Sequence, residues 1–378
     1  MLPLKEEEKK WVEDIWGKID NKLMIVSERS RNKIPYKSVD GMHDDKSESN
    51  INWWTNGFWP GMMWLMYAGT KKECYRETAQ AGEKALEAGF DNYERLSHDV
   101  GFIWRLAAGP DYTLTGSETA RKRQLFAADH LMSRYNVAGE FIRAWNHGKH
   151  SSSEAGMTII DTMMNLPLLY WMSDETKDPR FRMVAEKHAD TTIRDHIRSD
   201  YSINHIVNHN PYTGEKTEVL AGQGYEVNSS WSRGQAWALY GFVISYIHTG
   251  KEEYLTVAKN TAHYFISNVC DNWIPKCDFR SPETPVIYDT SAGVCAACGM
   301  IEIAKIVPEH EKRMYLNAAL EILKTIEANF ADWSDKTDFI IDKATCSYTT
   351  DIGRNIIYAD YFFTEAIYKC MGFEPLFW

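Results

Sequence analysis

The chain has 378 residues, 44% of them hydrophobic and 25% charged, the proportions of a globular protein with one large core or two smaller ones. A formal net charge of −11 leaves no basic tract for phosphate contacts, so nucleic acid is excluded as the expected partner. No run of 18 apolar residues exists, and the acidic opening lacks the basic and apolar regions of a signal peptide; no membrane contact and a cytoplasmic location are expected.

Helical periodicity dominates and strand-like alternation is scarce. In chain order the spacing predicts helices near 5–27, 54–68, 71–89, 98–108, 116–135, 159–173, 178–198, 231–248, 252–269, 289–306, 308–331 and 358–371. The odd-numbered segments are amphipathic and rich in charge. The even-numbered ones are apolar nearly all round and rich in Gly, Ala and aromatics. A helix hydrophobic on every face is buried, and an amphipathic one covers it.

The links alternate as well. Even-to-odd links are short: Gly69-Thr70, 174–177, 249–251 and Val307. A polar turn followed by Tyr or Phe recurs at Lys71 to Tyr75, Asp178 to Phe181, Lys251 to Tyr254 and Glu311 to Tyr315. Odd-to-even links are long: 28–53, 136–158, 199–230, 270–288 and 332–357. Six such hairpins closed into a ring make an all-α (α/α)6 barrel, expected as one domain over 1–378. Its long loops and inner-helix N-termini then share one face, the mouth, where function is expected.

Seven cysteines, an odd number, lie without a disulfide framework. Cys295 and Cys298 form a CxxC inside a run of small residues and read as buried packing residues of a helix. No metal site is expected, since zinc would need two more ligands at matching spacing, and no cofactor motif occurs.

Polar residues do gather where the inner helices open. The second starts around Trp53-Trp54-Thr55-Asn56, the fourth at Ser97-His98-Asp99, the sixth near Asp161 and the eighth at Trp231-Ser232-Arg233. The tenth starts at Asp289 and the twelfth at Asp360. An Asp at a helix start is most often a cap. Asp161 is harder to dismiss, because its neighbours Ile159, Ile160, Met163 and Met164 are apolar and a charge among them is costly. Two carboxyls across a desolvated cleft can divide labour, one held protonated as acid by the other's charge. The run 229–242 sets Arg233 beside Trp231 and Trp237, as a pocket for a flat anionic ring would require. Loop 199–230 adds His205, His209, Asn210 and Gln223 as hydrogen-bonding groups.

Five motifs in this order resemble the unsaturated glucuronyl hydrolases of glycoside hydrolase family 88. They are Trp54-Thr55-Asn56-Gly57-Phe58-Trp59-Pro60-Gly61, His98-Asp99-Val100-Gly101-Phe102, the run 160–169 around Asp161, Trp231-Ser232-Arg233-Gly234-Gln235-Ala236-Trp237, and Asp289-Thr290-Ser291-Ala292. The resemblance covers the chain from about Asn52 to Tyr368. It implies an (α/α)6 barrel acting on oligosaccharides that end in a Δ4,5-unsaturated uronic acid. It places Asp161 at the catalytic acid and Asp99 at the second essential carboxylate. Substrate contacts fall on Trp54, His98, Trp145, His205, Gln223, Trp231, Arg233, Trp237 and Tyr348. The related unsaturated rhamnogalacturonyl hydrolases tend to carry Arg-Gly-Asn-Gly-Trp where this chain has Arg233-Gly234-Gln235-Ala236-Trp237, which favours the glucuronyl branch. A sugar epimerase on the same barrel is the other alternative, and it would need histidine-based proton shuttling. Residues 345–355 lack a Ser/Lys cluster that some members carry for sulfated fragments, so non-sulfated disaccharides are expected to be turned over at least as well; the alternative is that Lys33, Lys37 or Lys46 of the 28–53 link folds over the outer subsite and supplies the missing charge. The oligomeric state is not legible.

Overall fold

The computed structural model of the protein describes residues 2–146 and 154–378; the middle of the expected 136–158 link lies outside the described residues. Twelve α-helices follow the expected order: α1 (Glu6–Arg29), α2 (Phe58–Thr70), α3 (Glu73–Leu86), α4 (Val100–Thr115), α5 (Glu118–Ser133), α6 (Leu166–Thr176), α7 (Pro179–His196), α8 (Ser232–Thr249), α9 (Glu252–Val269), α10 (Thr290–Ile306), α11 (Glu309–Phe330) and α12 (Ile357–Cys370). None of the described helices is long and apolar enough to cross a membrane.

The two kinds of helix separate as their patterns require. In α10 every residue from Thr290 to Ala304 is buried. In α3 burial is confined to Tyr75, Thr78, Ala79, Gly82, Glu83 and Leu86, a stripe of three- and four-residue steps. The inner helices close a ring: α2 packs on α4, α4 on α6, α6 on α8, α8 on α10, α10 on α12, and α12 back on α2. This is the (α/α)6 barrel.

Two-residue turns join inner to outer helices at the base. Lys71, Gly116, Lys177 and Gly250 take left-handed φ of 59°, 74°, 61° and 69°, ending each inner helix sharply. The expected link Gly69-Thr70 is in fact the last turn of α2, and Lys71-Lys72 makes the corner. The recurring tyrosines have a common use. Tyr75 of α3 donates to Asp20 of α1, and Tyr254 of α9 donates to Glu186 O and Asp190 of α7. Tyr315 of α11 meets His263 of α9 at 2.9 Å. Each ties an outer helix to the outer helix before it.

The long links hold short strands that scarce alternation had not announced. Ser38–Val39 (β1) pairs with Met42–His43 (β2), and Tyr135–Asn136 (β3) with Phe141–Ile142 (β4). Met157–Ile159 (β5), Ile206–His209 (β6) and Lys216–Leu220 (β7) form an antiparallel sheet at the mouth. Because β5 occupies the start of the expected sixth helix, α6 begins only at Leu166, after a 3₁₀ turn over Ile160–Met164. At the base, Trp378 stacks on Phe362 and donates its indole N–H to Glu365 at 2.9 Å.

One glycine at the mouth has no room for a side chain. A Cβ on Gly57 would lie 2.3 Å from Phe102 O and 2.5 Å from Ile103 O, so the turn that presents Trp54 is pressed against α4. Gly57→Ala is therefore expected to lower stability by about 1–3 kcal/mol. Urea unfolding checks this, and an unchanged midpoint would contradict the close approach.

Candidate active site

The long links enclose a cavity of about 1160 Å³ over the inner-helix N-termini. Trp54, Asp99, Trp145, His205 and Gln223 line it, together with Tyr36, Lys46 and Trp53 from the 28–53 link. That volume exceeds what one sugar ring fills.

Asp161 owes its place to the sheet. In the β5–β6 pairing Ile159 lies opposite Ile206, and Ile160 N–H donates to His205 O at 3.1 Å. The chain then turns into its 3₁₀ segment, leaving Asp161 7% exposed beside His205. The Gln223 backbone N–H donates to His205 Nδ1 at 2.9 Å, so that nitrogen carries no proton and Nε2 bears the N–H. His205 Nε2 stands 3.4 Å from Asp161 Oδ2, and neither atom has a hydrogen-bond partner. The Trp231 ring backs His205, with centroids 4.2 Å apart.

A second Asp–His pair stands nearby. Asp99 occupies the N-cap position of α4 without capping it; instead it accepts from Ser97 Oγ at 2.9 Å. His98 Nε2 lies 3.3 Å from Asp99 Oδ1, and its Nδ1 is 2.8 Å from Thr162 Oγ1. Asn165 ties the two segments: its Oδ1 accepts from Phe102 N–H at 2.7 Å and its amide donates to Asp161 O at 3.3 Å. Thus the turns that carry the two carboxyls are bonded to each other.

Their electrostatics diverge. Burial pushes Asp99 up, helped by the Asp161 charge and opposed by His98 and Ser97. Burial also works to raise Asp161, but the contact with the His205 N–H and the influence of His98 and the Arg233 charge outweigh it and hold this carboxyl below its usual range. The two carboxyls are thus shifted in opposite directions.

Arg233 also departs from expectation. Its side chain is fully buried, and both terminal nitrogens are committed. One bonds Asp289 and Thr345 O and the other Cys346 O, while the guanidinium lies over Trp231 at 4.6 Å and Tyr358 at 5.1 Å. The fork expected for a substrate carboxylate instead clamps the 345–346 segment; only Nε lacks a partner. Asp289 is the cap the general rule anticipates, accepting from Ser291 N–H and also from Thr345 N–H.

The remaining expected residues fall into three groups. Trp145 lines the wall, 6.3 Å from the His98 ring. Trp54 lies stacked on Tyr358 at 5.0 Å, and Trp237 is buried beneath it with centroids 6.4 Å apart. Tyr348 packs edge-on against half-exposed Tyr225, and its backbone N–H holds Gln223 O at 2.9 Å. Two candidates of loop 199–230 are elsewhere. His209 is buried between Gly156 O and Asp195, and Asn210 caps its own turn. Cys295 and Cys298 are buried free thiols of α10. Sequence reasoning missed Thr162, Asn165 and Tyr358 as supports; each is apt only through partners far along the chain. Asp360 accepts from the N–H groups of Ile340 and Ile341, and burial pushes it up to about 7.

Residues 26–276 match the model of Glycosyl Hydrolase Family 88. The unsaturated glucuronyl hydrolase of Bacillus sp. (strain GL1) is 34% identical over 344 residues, 89% of this chain and 90% of that protein. The unsaturated chondroitin disaccharide hydrolase of Streptococcus pyogenes serotype M1 is 30% identical over 84% of this chain and 80% of its own length. The crystal structure of the Bacillus sp. GL1 enzyme superposes with a TM-score of 0.87 at 30% identity, covering 94% of this chain and 96% of that one. With barrel, mouth and sequence in agreement, the chain belongs to glycosyl hydrolase family 88 and is a glycosidase.

Proposed function

We propose that this enzyme removes a Δ4,5-unsaturated uronic acid from the non-reducing end of oligosaccharides left by polysaccharide lyases. The observation that carries the reading is the Asp161–His205 contact. A buried carboxylate oxygen and a buried N–H face each other at 3.4 Å, neither with any other hydrogen-bond partner, and the histidine that bears the N–H lines a cavity with aromatic walls. Unpartnered buried polar atoms are rare, and a cluster of them marks where a polar ligand completes the set. The names of the relatives support the substrate class.

In this reading Trp54 and Trp145 pack against the sugar faces, and His98, His205 and Gln223 meet its oxygens. Arg233 contributes its charge and its free Nε rather than a fork. The C4=C5 bond is an enol ether, electron-rich at C4. Asp161 delivers a proton to C4, water adds its oxygen at C5 and releases a proton to the site, the resulting hemiketal opens to a C5 ketone, and the hemiacetal this leaves at C1 breaks down to an aldehyde and expels the next sugar. Cleavage follows hydration, unlike direct displacement at the anomeric carbon. The substrate's own carboxylate raises Asp161 toward its acid form, through its like charge and the water it displaces.

Two measurements test these roles. Asp161→Asn keeps size and polarity but cannot deliver the proton. Loss of the conjugated uronate's ultraviolet absorbance should slow by roughly 10²-fold or more while substrate still binds. Wild-type turnover in the folded variant would exclude Asp161 as the acid, and a wild-type enzyme that left the absorbance intact would exclude the reaction.

The second concerns Asp99. Since its folded-state value is raised, its ionisation costs the fold stability as pH climbs from about 4 toward neutrality. Asp99→Asn lacks that cost, so its melting temperature relative to wild type should rise over this range and fall back below about pH 4. A difference independent of pH would show that Asp99 is not raised.

A further inference from the structure

The structure assigns an anion subsite to Lys46, which we infer takes a sulfate ester on the sugar following the unsaturated uronate. The inference rests on the proposed function and reverses the expectation drawn from residues 345–355 alone. The alternative, that a cation of the 28–53 link supplies the charge, is the one the geometry favours. Of residues 345–355, Ser347, Thr349, Thr350 and Asp351 line the cavity without a cation, but the opposite wall comes from the 28–53 link.

The cations of that link differ in how they are held. Lys33 donates to His43 O at 2.7 Å, away from the cavity lining. Lys37 lines the cavity but is neutralised by Asp351 at 2.9 Å. Lys46 opens a single 3₁₀ turn, and its ammonium sits over the Trp53 ring at 4.7 Å and the Tyr36 ring at 5.6 Å. Those two rings meet edge to face, 5.6 Å apart, forming a corner. No carboxylate among the described residues pairs with it. Aromatic faces restrain an ammonium without cancelling its charge, so Lys46 stays both placed and available. Arg95 lines the same cavity and is likewise without a carboxylate partner.

The acids of the cavity offset this only in part. Asp351 is paired with Lys37, and Asp44 accepts the backbone N–H groups of Tyr36 and Lys37 at 2.7 and 3.0 Å. Asp99 is pushed toward its neutral form by burial, which leaves Glu94 as the exposed acid facing solvent. Tyr36, Lys46, Trp53 and Trp54 line the same cavity, whose volume leaves room for a second sugar beside the one that packs on Trp54.

The test uses matched chondroitin disaccharides, unsulfated, 4-O-sulfated and 6-O-sulfated, followed by loss of ultraviolet absorbance. The wild type should show a kcat/KM about five-fold higher for at least one sulfated form at low ionic strength, shrinking as salt screens the contact. Lys46→Gln should bring that ratio to about one, and Lys46→Arg should retain it. A wild-type ratio at or below one, or a ratio unchanged in Lys46→Gln, overturns the subsite while leaving the proposed reaction standing. Turnover of none of the three overturns the subsite, and the reaction falls with it only if the unsaturated products of other polysaccharide lyases also keep their absorbance.

Discussion

A carboxylate that is 7% exposed, with one oxygen lacking a hydrogen bond, sets the terms for the rest of the mouth. Burying such a charge unaided costs several kcal/mol. At Asp161 the compensation arrives from His205, His98 and Arg233, none of them its neighbour in sequence. His205 presents the correct nitrogen only because Gln223 occupies the other. Gln223 in turn is held by Tyr348 N–H and by its own bond to Cys346 O at 2.7 Å. The 345–346 carbonyls are fixed by Arg233, and Arg233 by Asp289. The site is one chain of polar contacts running from α10 to Asp161, with Arg233 at its centre as a clamp.

The barrel makes such a network affordable. Its inner helices are buried over most of their length and pack into a closed ring. Two-residue corners at the base place the inner helix starts at the same end. Helix N-termini gathered there favour negative charge through exposed backbone N–H groups and helix dipoles. This bias suits an anionic sugar in a protein whose formal net charge is −11.

The scaffold was legible because period and burial are local properties. The stripe of α3 and the uniform apolarity of α10 can be read without knowing any partner. The same holds for Asp161, conspicuous among isoleucines and methionines. Residue type alone could not tell a contact group from a support. Arg233 and His209 have the chemistry of a sugar site, yet Asp289 and Asp195 engage them, more than fifty residues away in the first case. Lys46 and Lys37 look alike in sequence, and only Asp351 distinguishes them. The segment 159–165 was read as helix, where the chain ends a strand and makes a 3₁₀ turn, because so short a stretch has no period of its own.

The sheet at the mouth also bears on the order in which the molecule assembles. Each helical hairpin is closed by a two-residue turn, so its contacts form between neighbours at little entropic cost. Pairing Ile159 with Ile206 closes a loop of nearly fifty residues, and joining Arg233 to Thr345 spans 112. These closures bring His205 to Asp161, and the apolar cluster beneath them, Ala144, Met157, Ile159 and Ile206, is small and separate from the main core. The cleft is therefore expected to mature after the helices that carry it, and in mild denaturant to come apart while most of the helical signal persists.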